Sequence, residues 1–248
     1  MNTAIRRVLA DAVYSLKTEV ARYPSIGLPL ERIRGRGNII DEGTDIVIEG
    51  FPRCASSFVV AAFRLAQEPN AMNVADHTHM PAQVIRGVRR GIPTLVLIRP
   101  AEAAVVSLLI RNHFLSVRAA LRGYVRFYET LIPFADGFVT ATFDEIVHDL
   151  GGPIERLNHR FGTAFAPFLH TPANLARIAR EIEDDYRTRT DDPERLERII
   201  PRPSVVRDRT KEMVERRFRD EARQRDLRRA TAAYRSLTTR EPDALDLR

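Results

Sequence analysis

The chain has 248 residues, 44% of them hydrophobic and 29% charged, which is typical of a globular protein built as one α/β domain. The single cysteine, Cys54, excludes an intramolecular disulfide and fits a reducing compartment. Charged residues interrupt every apolar run, including the N-terminal one, so we expect neither a signal peptide nor a membrane span. These features predict a soluble, cytoplasmic protein.

The net charge of +6 is unevenly distributed, because residues 202–240 alone carry +7. A basic segment attracts polyanions, such as nucleic acid or an anionic cofactor. A solvated helix face explains the same pattern equally well. Only Phe218 and Tyr234 supply aromatic rings in this segment, so nucleic-acid binding is the weaker interpretation.

The predicted elements begin with a helix over residues 1–23, where apolar residues recur at helical spacing. Residues 24–43 are rich in proline and glycine and are predicted to form a loop. The following elements, in chain order, are a strand at Asp45–Glu49, a helix at Phe58–Gln67, a short strand at Asn73–Ala75, a helix at Pro81–Arg90, a strand at Ile92–Ile98, one or two helices over Ala101–Tyr128, a strand at Gly137–Phe143 and a helix at Asp144–Arg160.

Strands that alternate with helices predict a parallel β-sheet flanked by helices on both faces. We expect this core at about residues 44–165, followed by a helical C-terminal part at about residues 172–240, within one domain that spans residues 1–248.

The segment Gly50–Ser57 (GFPRCASS) follows a predicted buried strand and opens a predicted helix. Backbone N–H groups at such a helix start bind phosphate, and Arg53, Ser56 and Ser57 would add a charge and two hydroxyls. Relative to the nucleotide-triphosphate loop G-x-x-x-x-G-K-[ST], Ala55 replaces the second glycine and Ser56 replaces the lysine. The alternative is an ordinary strand-to-helix turn in which the serines cap the helix.

This loop resembles the phosphosulfate-binding loop of sulfotransferases that use 3′-phosphoadenosine-5′-phosphosulfate (PAPS), typically P-[KR]-S-G-[ST]-[ST]-[WFL]. The matching residues are Pro52, Arg53, Ser56, Ser57 and Phe58, whereas Cys54 and Ala55 stand in place of Ser-Gly. The resemblance implies a P-loop-like sulfotransferase fold of the bacterial type, with PAPS as cosubstrate and no metal.

Three further segments carry the resemblance. His77-Thr78-His79-Met80-Pro81 is similar to the K-T-H-[LM]-P segment of cytosolic sulfotransferases, whose histidine is the general base; His79 takes that position. Arg99 ends a predicted strand and Ser107 follows eight residues later, as do the arginine and serine that bind the 3′-phosphate in the family. The stretch from Phe143 to Gly162 is similar to the family's F-E-x-L…F-L-G stretch.

The resemblance therefore implies a role for each candidate residue. His79 would accept the proton of the acceptor hydroxyl and Arg53 would stabilise the leaving oxygen, which makes them the candidate catalytic residues. The candidate cofactor-binding residues are Pro52, Arg53, Cys54, Ala55, Ser56 and Ser57 for the 5′-phosphosulfate, Arg99 and Ser107 for the 3′-phosphate, and Arg202 and Arg207, with Ser204 and Arg209, in a late basic segment. The acceptor would be hydroxylated, such as a carbohydrate or a glycolipid.

Other interpretations of these residues remain open at this point. His77 and His79 would share one strand face and bind Zn²⁺ if His113 or Asp76 converged with them. Cys54 at a helix start could be a reactive thiolate, and Arg99 could simply pair with a carboxylate. For the whole chain, the alternatives are a kinase that uses the loop, a binding module for nucleic acid or another partner, and a sulfotransferase that binds the nucleotide without reacting.

Overall fold

The computed structural model describes residues 3–35, 37–188 and 205–239, together with 190, 192 and 196. The strands are β1 (Ile46–Gly50), β2 (Val74–Asp76), β3 (Thr94–Ile98) and β4 (Val139–Thr142). The helices are α1 (Thr3–Val20), α2 (Pro24–Arg34), α3 (Ser56–Gln67), α4 (Pro81–Arg89), α5 (Ala101–Arg111), α6 (Val117–Leu131), α7 (Phe143–His148), α8 (Gly151–Phe161), α9 (Pro172–Arg187), α10 (Val205–Glu221) and α11 (Gln224–Thr238), with a 3₁₀ helix at Ile132–Gly137.

The four strands form one parallel sheet in the order β2-β1-β3-β4. Every residue of β1 and β3 is buried, as expected for central strands covered by helices on both faces. The predicted α/β class, a parallel sheet flanked by helices, is therefore confirmed. The chain leaves β1 toward β2 on one side and later returns to β3 on the other, so the sheet has its topological switch point between the carboxyl ends of β1 and β3.

The prediction of a loop over residues 24–43 is wrong for its first part, where α2 forms. Pro24 lies at the first helical turn, where a missing N–H is tolerated. Gly27 is a packing residue, because a Cβ there would lie 2.5 Å from the Cε atom of Met80. Gly35 then ends α2 with a φ of 61°. Tertiary contact thus outweighs the local preference of glycine and proline for a loop.

The helix predicted at Asp144–Arg160 is divided in two. The side chains of Thr142 and Glu145 form a reciprocal capping box at the start of α7, which fixes its first turn at the end of β4. The chain then turns at Asp149 and Leu150 before α8 begins.

The basic helices α10 and α11 pack on α5 and α6. Phe218, Ala230, Ala233 and Leu237 are buried there. Arg229 pairs with Glu129 through two hydrogen bonds of 3.0 and 2.6 Å, so part of the basic charge serves this packing. Within the described ranges, no helix combines the length and the apolar character needed to cross a membrane.

Candidate functional site

The loop between β1 and α3 alternates in backbone handedness. Arg53 and Ala55 have φ values of 77° and 69°, whereas Cys54 between them is not in the positive region. Such alternation directs successive N–H groups into one concavity that binds anions. Ala55 is the N-cap of α3 and no side chain caps this helix, so the interpretation that serines cap it is wrong.

The two serines of the loop have different surroundings. Ser56 is buried, and its hydroxyl has no hydrogen-bond partner in the part of the chain that the structure describes. A buried hydroxyl without a partner costs about 1–3 kcal/mol, which a ligand oxygen would recover. The Ser57 hydroxyl lies 3.2 Å from Nε2 of His77. Both serines line the large cavity described below.

Cys54 is a packing residue. Its side chain is fully buried, and its Sγ lies 3.4 Å from the hydroxyl of Tyr128. Burial raises the pKa of the Cys54 thiol to about 11, although the Tyr128 hydrogen bond acts in the opposite direction. Burial and a raised pKa both argue against the reactive-thiolate interpretation.

Arg53, Arg99 and Ser107 converge at the switch point of the sheet. Nε of Arg53 donates a hydrogen bond of 3.1 Å to Oγ of Ser107, and Nη1 of Arg99 donates one of 3.3 Å to the carbonyl oxygen of Arg53. The Arg99 guanidinium also lies 4.0 Å from the centre of the Phe143 ring. Loop, strand end and helix α5 thus meet at one place, which is where ligands bind in open parallel sheets.

Two tyrosines of α6 hold this place together. The Tyr124 hydroxyl donates to the carbonyl oxygen of Arg99 at 2.7 Å, and the Tyr128 hydroxyl donates to that of Leu97 at the same distance. The Tyr128 hydroxyl also accepts from the N–H of Phe51 at 3.3 Å. Because both side chains are fully buried, they fix the end of β3 against the loop.

His79 follows β2 and lies beside the loop. Its Nδ1 is 2.9 Å from the carbonyl oxygen of Gly50, which can only accept, so Nδ1 carries the proton. Nε2 is left as the unprotonated nitrogen, and no residue of the described ranges is hydrogen-bonded to it. Burial lowers the pKa of His79 to about 4, although the bond to Gly50 acts in the opposite direction. The ring is therefore neutral near pH 7.

His77 is engaged through both ring nitrogens. Nδ1 lies 2.6 Å from Oδ1 of the buried Asp76, and Nε2 faces Ser57. The expectation that His77 and His79 share a strand face is wrong, since β2 ends at Asp76 and both histidines have positive φ values. Across the residues that the structure describes, no three His, Cys, Asp or Glu side chains are grouped as metal ligands.

Glu49 is the hub of the His77–His79 segment, and the sequence analysis missed it. Its fully buried carboxylate accepts five hydrogen bonds of 2.7–3.3 Å, from Thr78 N–H, Thr78 O–H, His79 N–H, Gln83 Nε2 and Gly50 N–H. Burial raises the pKa of Glu49 to about 7, although the two hydrogen bonds from Thr78 lower it. The available signal was an acidic residue inside an otherwise apolar strand.

Tyr186 of α9 is a second residue that the sequence analysis missed. It is buried against the site. Burial alone raises the pKa of its phenol, but the charges of Arg53 and Arg111 and hydrogen bonds with Ser57 and Arg111 lower the pKa below its ordinary value. Its position more than 120 residues after the loop left no local signal in the sequence.

These groups line one cavity of about 1790 Å³. It extends from the loop and the end of β3 to α1, α9 and α10; its lining residues include Lys17, Arg53, His79, Arg99, Ser107 and Tyr186. Roughly 300–1,000 Å³ is typical of a site for one small ligand, so this cavity has room for two substrates. Pro52 and Ala55 also line it.

The proposed late basic segment is only partly described. Arg202 and Ser204 lie outside the described residues, and Arg207 and Arg209 belong to α10 without a described side chain. Their predicted contact with a cofactor stays a prediction.

We expect Ala55→Gly to raise the stability of the protein. Ala55 has a φ of 69° and a ψ of 22°, a left-handed conformation that costs a residue with a side chain about 1–2 kcal/mol. The greater freedom of glycine in the unfolded chain offsets about 0.4–1 kcal/mol of the gain. The net effect should raise the melting temperature by about 1–3 °C. In contrast, Ala176→Gly, at an exposed position within α9, should lower it. A lower melting temperature for Ala55→Gly would contradict the assigned backbone conformation.

Comparison with known proteins gives little beyond this geometry. No family model matches the chain, and no curated protein matches it. Among solved structures, the chain is similar to a crystal structure of mouse sulfotransferase SULT7A1 complexed with PAP, at 10% identity and a TM-score of 0.41. The match covers 79% of this chain and 91% of the mouse chain. A likeness this distant does not establish a function.

Proposed function

We propose that the protein is a sulfotransferase that moves a sulfuryl group from PAPS to a hydroxylated acceptor. The observation that supports this most strongly is the hydrogen bond between Arg53 and Ser107, with Arg99 bonded to the same loop. It joins the loop expected to hold the 5′-phosphosulfate to the two residues expected to hold the 3′-phosphate. A 3′-phosphate distinguishes PAPS from ATP, and the loop has no lysine for a triphosphate.

The loop is suited to the 5′-phosphosulfate. In this proposal its backbone N–H groups and the hydroxyls of Ser56 and Ser57 hold the phosphate, which gives the buried Ser56 hydroxyl a partner. Arg53 is bonded to Ser107, and in this proposal its guanidinium would exchange Ser107 for oxygens of the nucleotide.

The transfer step needs one base and one cation. The acceptor oxygen attacks sulfur while its proton passes to Nε2 of His79, and the bond between sulfur and the bridging oxygen breaks. The electron pair of that bond stays on the nucleotide, where Arg53 stabilises the developing charge. The geometry of His79 supports the role, because the bond from Nδ1 to Gly50 fixes the tautomer and leaves Nε2 unprotonated.

For the acceptor, we propose a carbohydrate or a glycolipid. The cavity extends well beyond the loop, to Tyr14, Lys17 and Thr18 of α1. These side chains would supply polar contacts for a hydroxyl-rich molecule. No metal has a role in the proposed step.

Nucleotide selectivity tests the proposal. We expect adenosine 3′,5′-bisphosphate to raise the melting temperature much more than AMP or ATP does, because only the bisphosphate engages both halves of the site. Arg99→Ala should remove most of that difference, since a charge-assisted hydrogen bond contributes about 1.5–3 kcal/mol, or roughly tenfold to a hundredfold in affinity.

Arg89→Ala is the matched control, because Arg89 also lies over an aromatic ring, that of Phe134, but is not among the residues lining the large cavity. It should leave the selectivity unchanged. Equal thermal shifts from all three nucleotides in the unmodified protein would overturn the proposed function.

A further inference from the structure

Helix α1 presents an apolar stripe to the outside of the molecule. Five side chains on it are each more than half exposed, namely Ile5, Val8, Leu9, Val13 and Leu16. At 3.6 residues per turn these positions fall within an arc of about 140°. Exposed apolar residues scattered singly are normal, whereas a continuous stripe marks a surface that binds something.

Helix α2 has an exposed apolar stripe of its own. Ile26, Leu30 and Ile33 recur at spacings of four and three residues, which places them on one face, and all three are exposed. Only residues 21–23 separate α2 from α1. We call the eight apolar side chains of the two helices the apolar face.

The exposed charges of α1 and α2 themselves have one sign. The structure describes the side chains of residues 4–35. All of the exposed charged side chains among them are basic, namely Arg6, Lys17, Arg32 and Arg34. The acidic side chains are turned inward or paired. Asp11 accepts from the N–H of Ser116, Glu19 pairs with Arg22 and Arg126, and the buried Glu31 lies 3.7 Å from Arg34. From outside the two helices, the exposed Glu221 of α10 pairs with Arg7.

Further basic residues adjoin the start of α2. Arg86, Arg89 and Arg90 are exposed on α4 and the residue that ends it, and together with Pro24 and Ser25 they line a second cavity of about 420 Å³. The basic margin therefore extends along the neighbouring helix, away from the large cavity.

We propose that the apolar face binds the surface of an anionic lipid bilayer. Amphipathic helices that lie in the bilayer interface combine an apolar face with flanking lysine and arginine residues, and anionic head groups attract those cations. A second copy of the chain fits less well, because a two-fold contact would place the same patch, with its basic margin, on both sides. The inference rests on the exposed surface and does not depend on the proposed function.

Co-sedimentation of the full chain with vesicles tests this proposal. We expect binding to vesicles of phosphatidylglycerol and phosphatidylcholine, weakened by added salt, and much weaker binding to phosphatidylcholine alone. The double variant Leu9→Ser/Leu16→Ser should lower the partition coefficient at least about tenfold, since two exposed leucines lose their insertion into the bilayer. Leu169→Ser is the control, because Leu169 is as exposed as Leu16, at 65% against 66%, but belongs to neither helix.

Two results would contradict binding of the apolar face to a bilayer. No binding to anionic vesicles, or equal binding by the double variant and the unmodified protein, would refute the proposal. A dimer in solution, detected by light scattering and dissociated by Leu9→Ser/Leu16→Ser, would instead assign the face to a second copy. Circular dichroism of each variant should show that the fold is retained, as expected for substitutions at exposed positions.

Discussion

The His79→Ala variant is expected to transfer sulfuryl groups about 10²–10⁴-fold more slowly than the unmodified protein. The proposed step needs a base for the acceptor proton, and Nε2 of His79 is the nitrogen left unprotonated by the bond from Nδ1 to Gly50. Affinity for adenosine 3′,5′-bisphosphate should not change, because the proposed function assigns that nucleotide to other groups. Single-turnover transfer rates, together with nucleotide titrations, measure the two effects separately.

Two other histidines serve as comparisons. His148→Ala removes an exposed ring on α7 and should leave the rate unchanged. His77→Ala breaks the contact with Ser57 and should weaken nucleotide binding more than it slows transfer. If His77→Ala abolished transfer while His79→Ala did not, His77 with its Asp76 partner would be the base. Unchanged rates in both variants would point to a protein that binds the nucleotide without reacting.

The pH profile gives an independent check on His79. Because burial lowers the pKa of His79 to about 4, the ring is already neutral in mildly acidic solution. Titration of His79 should therefore contribute no change in rate between about pH 6 and 8, and its effect should appear only as the pH approaches the pKa of His79. A change in rate centred near pH 7 is expected from Glu49, whose pKa burial raises to about 7, and it should disappear in Glu49→Gln. If the rate of Glu49→Gln still halved near pH 6.5, the ordinary histidine value, that result would contradict the lowered pKa of His79.

Glu49→Ala is expected to lower the free energy of unfolding by about 3–4 kcal/mol. The substitution removes the acceptor for five hydrogen bonds and leaves their buried donors without it. Transfer should also be lost, since the N–H of His79 is one of those donors. Denaturant unfolding monitored by circular dichroism measures the change in stability.

Two further variants test whether the effect is specific to the carboxylate of Glu49. Glu42→Ala, at an exposed position just before β1, should change neither stability nor rate. Glu49→Gln keeps the shape but turns an amide N–H₂ toward groups that donate, so an intermediate loss is expected. A Glu49→Ala protein as stable and active as the original would disprove the role of the Glu49 carboxylate as a hub.

The architecture was predictable because its signals are local. The β-branched runs of β1 and β3 and the helical spacing between them predict a covered parallel sheet, and the structure confirms it. The prediction failed at α2, where Gly27 and Pro24 suggested a loop. The contact of Gly27 with Met80 that makes the helix favourable joins residues more than 50 positions apart, and no local pattern contains it.

The candidate site was predictable only where its residues lie in a short motif or at a fixed spacing. Arg53, Arg99 and Ser107 were identified this way, and they are neighbours in the structure. Tyr186 and the tyrosines of α6 were missed, because a helix from another part of the chain brings each of them to the loop. Glu49 was missed because a buried acid in a strand has no meaning until its donors are known.

The hydrogen bond between Arg53 and Ser107 also bears on which nucleotides the proposed site would select. In the proposed function this bond links a residue for the 5′-phosphosulfate to a residue for the 3′-phosphate. A molecule with a single phosphate would have to separate the two residues while bonding to only one of them, so it would gain less from binding. A molecule with both phosphates would bond to both residues at once. Arg53 and Ser107 together would then select a nucleotide that carries both phosphates. A nucleotide with one phosphate would break their hydrogen bond without replacing it fully.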